Sequence, residues 1–164
     1  MFETTAPPTP ISVRWMIRRD LDDVVAIRNA SCVEQTTSDN IKRRLTDRHT
    51  IGMVATRPSP DPAFYERPIV GFMIYELRQT TIHLGSMAVH PDHRRRGVGR
   101  ELIARLKSKL DPAGRWRITL YVRESNDQAI ALYRSEGFKA LGVTRDHFHI
   151  PPEDAYRFLF TLPR

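Results

Sequence analysis

At 164 residues, 40% of them hydrophobic, the chain has the size of one domain with a sizeable core and is cramped for two. Its single cysteine, Cys32, excludes an internal disulfide and fits a reducing compartment, and no Cys/His spacing of the zinc-binding type occurs, so no metal is expected. A formal net charge of +7 directs attention to anionic partners, with an ordinary solvated basic surface as the plainer reading.

Taken in order, residues 1–10 are rich in Pro and Thr and are expected to form a flexible tail ahead of a single domain over 11–164. The opening MFETTAPPTP lacks the basic segment and apolar run of a signal peptide, and no stretch has the apolar length of a membrane span. A soluble, cytoplasmic protein is the expectation. Val13 to Ile17 is expected as a first strand, followed by a helix capped by Asp20 with Leu21, Val24, Val25 and Ile27 as its buried stripe. A second helix is expected to start at Thr37 or Ser38 and to bury Ile41 and Leu45.

Thr50 to Thr56 and Ile69 to Leu77 are the next strands, Gly71 marking a bend in the latter. The intervening RPSPDPAFYERP is too proline-rich for either regular structure and is expected as a loop whose Phe64 and Tyr65 cover a core edge or touch a partner. Thr80 to Val89 makes a fourth strand. Pro91 and Asp92 break it, and Gly97 and Gly99 open a helix with Val98, Leu102, Ile103, Leu106 and Leu110 on one face. Two glycines at a helix start permit close backbone approach. The free N–H groups and positive dipole end of the first turn, beside Arg94, Arg95 and Arg96, suit a diphosphate.

Trp116 to Val122 is a fifth strand. Asn126 and Asp127 then cap a helix lined by Ala129, Ile130, Leu132 and Tyr133 and closed by Gly137. Phe138 to Val143 and Ala155 to Leu162 complete the sheet, with Thr144 to Asp154 expected as a loop.

Arg94-Arg95-Arg96-Gly97-Val98-Gly99 matches the Q/R-x-x-G-x-G/A pattern of the GNAT superfamily of acyl-CoA-dependent N-acyltransferases, and LYVRESNDQAIALYRSEGF, Leu120 to Phe138, resembles the second half of that superfamily's core. Within it the chain most resembles the bacterial ribosomal-protein alanine acetyltransferases and related protein N-terminal acetyltransferases. That likeness rests on VHPDHRRRGVGRELI, on LYVRESNDQAIALYRSEGF and on Glu153-Asp154-Ala155, and so covers the C-terminal half. It implies an α/β GNAT fold, a mixed sheet of about seven strands with a splayed central pair, flanked by about four helices.

The resemblance also implies acetyl-CoA as cosubstrate and a primary amine, foremost a protein or peptide N-terminal α-amine, as acceptor. It places Met87, Ala88 and Val89 along the pantetheine. Arg95, Arg96, Gly97, Val98, Gly99 and Arg100 lie at the pyrophosphate, with Arg94 on the motif's Gln/Arg position. Asn126 is implied as a ligand of the pantetheine arm as well as a helix cap, and Tyr133 as the acid that protonates the departing thiolate. The helices after the first strand would wall the acceptor site, which makes Asn29 to Gln35 a substrate loop.

Two departures from the pattern bear on the acceptor. Tyr121 stands where those enzymes carry a Glu or His base, and Asp146-His147-Phe148-His149 replaces a tyrosine-rich peptide loop. A phenol is protonated at neutral pH, so His83 on the neighbouring strand is the alternative base. A small-molecule amine acetyltransferase shares every motif. A non-catalytic basic RNA-binding module does not need the glycine turn and would want an aromatic stacking platform, which is missing.

Overall fold

A computed structural model describes residues 10–58 and 68–163. The expectations for the N-terminal tail before residue 10 and for Phe64 and Tyr65 lie outside the described residues. The elements run β1 (Ser12–Trp15), α1 (Leu21–Ser31), α2 (Ser38–Leu45), β2 (Thr50–Thr56), β3 (Ile69–Leu77), β4 (Thr81–Val89), α3 (Val98–Lys107), β5 (Arg117–Arg123), α4 (Asp127–Ser135), β6 (Lys139–His149) and β7 (Pro152–Thr161). The strands form one mixed sheet in the order β1-β2-β3-β4-β5-β7-β6, with β4 and β5 as its parallel pair. This is the expected α/β architecture. Among the described residues no helix is long and apolar enough to cross a membrane.

Period-2 alternation sorts the sheet into two faces. Phe72 and Ile74 of β3 meet Leu21, Val24 and Ile27 of α1 and Ile41 of α2 on one side. Met73 and Tyr75, with Ile118, Leu120 and Val122 of β5, meet Val98, Leu102, Ile103 and Leu106 of α3 and Tyr133 of α4 on the other. Complete burial of a Leu such as Leu102 or Leu106 stabilises the fold by about 1.5–3 kcal/mol each. Both cores thus clamp the central strands that carry the site.

Two expectations need correction. Asp20 makes no cap bond to α1; its carboxylate instead takes both Arg14 Nη1 at 2.7 Å and Nη2 at 2.9 Å, and accepts the Ile17 N–H at 2.8 Å. A planar guanidinium two-point contact outcompetes a single N–H donor at a buried position. The second correction concerns Thr144 to Asp154, most of which is strand: β6 reaches His149 and β7 starts at Pro152. Only Ile150 and Pro151 lie between them.

Candidate active site

The sheet opens at its centre. Parallel pairing of β4 with β5 covers only Thr81–Leu84 against Arg117–Leu120, after which β4 runs on to Val89 and β5 to Arg123 without further pairing. Gly85 sits at the point of divergence as a bulge, since Leu84 opposes Tyr75 of β3 and Ser86 opposes Ile74. The extra residue reverses parity. Ile82 and Leu84 face the α3 core before it, and Met87 and Val89 face that core after it.

Backbone direction follows from the same register. His90 N–H bonds Val70 O at 2.8 Å, so alternation turns the backbone groups of Met87 and Val89 away from β3 and into the gap. Ala88 differs: its backbone belongs to the β3 side and its side chain packs toward α1. The gap therefore presents a strand edge with hydrogen-bonding groups and, among the described residues, no partner strand.

At the end of β4 the chain makes the glycine turn. Arg95 and Gly97 adopt left-handed backbone angles, φ 61° and 84°. Such a turn gathers successive N–H groups into an anion-binding concavity. The first internal bond of α3 is Glu101 N–H to Gly97 O at 3.0 Å, which leaves the N–H groups of Val98, Gly99 and Arg100 directed out of the helix start. A methyl on Gly97 would meet nothing within 4 Å, so the turn's outer face is open. Gly99 has a different reason to be glycine: a methyl there would lie 3.0 Å from Cδ2 of Leu132, so its missing side chain lets α3 approach α4.

The arginines divide. Arg94 is a brace, its Nε on Val89 O at 3.3 Å and its Nη2 on Ser31 Oγ at 3.0 Å, tying the glycine turn to the end of α1. Arg100 leans toward Glu136 at 3.8 Å. Arg95 and Arg96 stand exposed beside the helix start. Asn126 caps α4 by accepting the Ala129 N–H at Oδ1, 3.2 Å, while its Nδ2 has no partner among the described residues and remains available as a donor.

Tyr133 lies in the core, 6% exposed, its ring edge-on to Phe138 at 5.4 Å. Burial alone pushes its phenol well above the ordinary value, so the hydroxyl keeps its proton throughout the physiological range. Among the described residues that hydroxyl has no hydrogen-bond partner.

On the opposite face of the sheet three rings converge. His83 hydrogen-bonds Thr119 Oγ1 at 3.0 Å through Nδ1 and stands edge-on to Tyr121 at 5.7 Å; Tyr121 in turn stacks on His147 at 4.1 Å. Burial, then the charge of Arg78, holds His83 below its ordinary value; His147 and Arg44 push the same way and Glu76 opposes them. The sequence offers His147 only as part of the segment that replaces a peptide loop, and its stacking on Tyr121 is not expected from it. Among the described residues no group of three potential metal ligands occurs. Asn29, in the expected substrate loop, is occupied structurally: its side chain pairs with both Thr36 N–H at 2.9 Å and Thr36 O at 3.0 Å, fixing the α1–α2 connection.

Residues 23–138 match the family model described as "Acetyltransferase (GNAT) family". The chain is 41% identical over 71 residues to N-alpha-acetyltransferase RimI of Mycobacterium tuberculosis, covering 43% of this chain and 43% of that protein. It is 38% identical over 95 residues to the [ribosomal protein bS18]-alanine N-acetyltransferase of Salmonella typhimurium, covering 58% of this chain and 64% of that one. The chain thus spans less than two thirds of these relatives' length. Its fold is like that of the Escherichia coli ribosomal-protein-S18-alanine N-acetyltransferase, with a TM-score of 0.78 at 23% identity over 94% of this chain and 96% of that one. Arabidopsis thaliana NAA60 in complex with acetyl-CoA gives 0.79 at 19% identity over 93% and 98%.

Proposed function

The chain belongs to the GNAT acetyltransferase family, and on that premise we propose that it transfers the acetyl group of acetyl-CoA to the α-amine of a protein or peptide N-terminus by direct attack. A single domain over 11–164, acting in the cytoplasm, carries this activity. The observation that carries the reading is the edge of β4 from Gly85 to Val89, which has no partner strand among the described residues and runs into the open first turn of α3. An extended amide-bearing chain is received there as an added strand would be, and a diphosphate at its end meets the N–H groups of Val98, Gly99 and Arg100. Met87 and Val89 supply the backbone contacts, Arg95 and Arg96 add charge, and Asn126 Nδ2 donates to the same arm.

Acetyl-CoA supplies an activated thioester. The chain's own groups then position, exclude water and manage two protons. The acceptor amine must arrive neutral; as its nitrogen bonds to the carbonyl carbon and the C–S bond breaks, one proton leaves nitrogen and one is needed at sulfur. Tyr133 donates to sulfur. The apolar surroundings that raise the phenol also disfavour a bare thiolate, so the two effects offset and the hydrogen bond stabilises charge where it develops. On the acceptor side the Tyr121 hydroxyl orients the neutral amine, and His83, neutral at pH 7, takes through water the proton released as the nitrogen bonds to the carbonyl carbon.

Incubating N-terminal peptides and internal-lysine peptides with acetyl-CoA and reading products by mass spectrometry tests the proposal. Acetylated N-termini are expected. Acetyl-CoA binding by calorimetry together with products only on small amines would replace the protein acceptor by a small molecule.

A further inference from the structure

Arg44, in the last turn of α2, reaches over the acceptor side of the gap: a methyl placed on Gly85 would lie 3.0 Å from its Nη2. Gly85 is itself exposed at the bulge where β4 and β5 part, which on the reading above is where the amine meets the thioester. Among the described residues the Arg44 guanidinium has no hydrogen-bond or ion-pair partner. The carboxylate that shares the surroundings of His83 with it, Glu76, is taken by Arg78 at 3.3 Å. The surroundings of His83 are correspondingly positive, with Arg78, His147 and Arg44 against Glu76.

Resting on the N-terminal acetyltransferase reading above, we propose that Arg44 is a specificity-determining residue that selects acceptors carrying a carboxylate next to the reactive amine, foremost N-termini whose second residue is Asp or Glu. A guanidinium fork matches a carboxylate at two points, and a like charge placed there is repelled. Because Arg44 is exposed, the discrimination is modest and falls with salt.

The test compares kcat/KM for peptides identical except for Asp, Asn or Lys at the second residue, in the wild type, Arg44→Gln and Arg44→Glu, with melting temperature as the folding control. The wild type is expected to favour Asp over Asn by about three- to tenfold at low salt. Arg44→Gln should bring that ratio near one, and Arg44→Glu should turn preference toward Lys. Equal rates on Asp and Asn peptides, or an Asp preference that survives Arg44→Gln, overturn the role of Arg44 and leave N-terminal acetylation standing. Acetylation of free aspartate or glutamate with no peptide modified, acetyl-CoA binding being intact, overturns the N-terminal reading and this peptide preference together.

Discussion

The ring of Tyr121 on β5 stacks on that of His147 on β6, centroids 4.1 Å apart and planes 21° apart, across the intervening β7. A bulge makes this possible. Thr144 opposes Ala155 and Phe148 opposes Glu153, so Arg145, Asp146 and His147 together face Asp154. Asp154 Oδ1 holds the bulge by accepting the N–H of Asp146, whose φ is 51°, at 2.8 Å. From the end of β5, Arg123 binds the neighbouring turn at Ile150 O and Pro151 O, 2.9 Å each, and covers the Phe148 ring at 4.2 Å.

Asp154→Ala should therefore loosen the acceptor side alone, raising the acceptor KM by about three- to thirtyfold while acetyl-CoA affinity stays constant. Asp154→Asn retains an accepting oxygen and should recover most of the loss. Steady-state kinetics with each substrate varied in turn separates these outcomes, and equal losses toward both substrates would mark Asp154 as merely structural.

Tyr133→Phe keeps the packing against Phe138 and removes only the hydroxyl. Turnover should fall by roughly ten- to ten-thousandfold with acetyl-CoA affinity little changed. Full activity in the variant, measured by thiol release, would assign the tyrosine to the core.

The two glycines of the turn should behave differently. Gly97→Ala forces an L side chain to φ 84°, costing about 1–2 kcal/mol, without collision. It should weaken acetyl-CoA binding by disturbing the N–H groups at the helix start. Gly99→Ala pushes on Leu132 and should lower thermal stability, an effect that Leu132→Ala relieves when combined with it. Calorimetry and thermal melts distinguish the two.

Much of this was legible in the sequence because local rules and tertiary packing agree. Thr50–Thr56 and Ile69–Leu77 are strands with the expected bounds, and Thr37 caps α2 by accepting the Asn40 N–H. The sheet irregularity between Ala55 and Thr56 lies opposite the Gly71 region. What stayed hidden depends on contacts across the chain. The Asp20 cap gave way to Arg14, a residue from another element. The Gly85 bulge changes which residues of β4 face the core, and the β6 bulge carries His147 to Tyr121; neither bulge alters composition or periodicity enough to be read. Arg44 looked like any solvated residue of a basic helix until α2 was placed beside the gap.

Asp20, 3% exposed, is held below the ordinary carboxylate range: burial opposes this, and the Arg14 contact together with the Ile17 N–H overcomes it. A depressed folded-state value means that its stabilisation is present above the unfolded pKa near 4 and is lost as pH falls through the folded value. Asp20→Asn should cost about 2–3 kcal/mol at pH 7, Arg14 being partly solvated, and the difference from wild type should shrink in acid. Denaturant melts from pH 7 down to pH 3 would show it. A difference that stays constant through that range would mean that the charge of Asp20 is not what stabilises the turn.

The pH dependence of catalysis follows from what the site has for a base. His83 lies below its ordinary value because it is buried and faces Arg78, His147 and Arg44 against Glu76, so it is neutral at pH 7 but a weak proton acceptor. Tyr121 is a phenol. Such a site works best on an amine that is already neutral. An α-amine with a pKa near 8 is about one-tenth neutral at pH 7, whereas a lysine near 10.4 is neutral about four times in ten thousand, a difference of roughly 200-fold. N-termini should thus outcompete internal lysines by about two orders of magnitude in kcat/KM. The profile should rise through pH 7–8 along the free amine's own titration, and substituting an amine of lower pKa should move that rise with it. A limb at or below pH 6.5 that disappears in His83→Ala would show that the titration of His83, and not that of the free amine, sets the profile, and comparable rates on an N-terminally blocked lysine peptide would show that the site deprotonates its acceptor unaided.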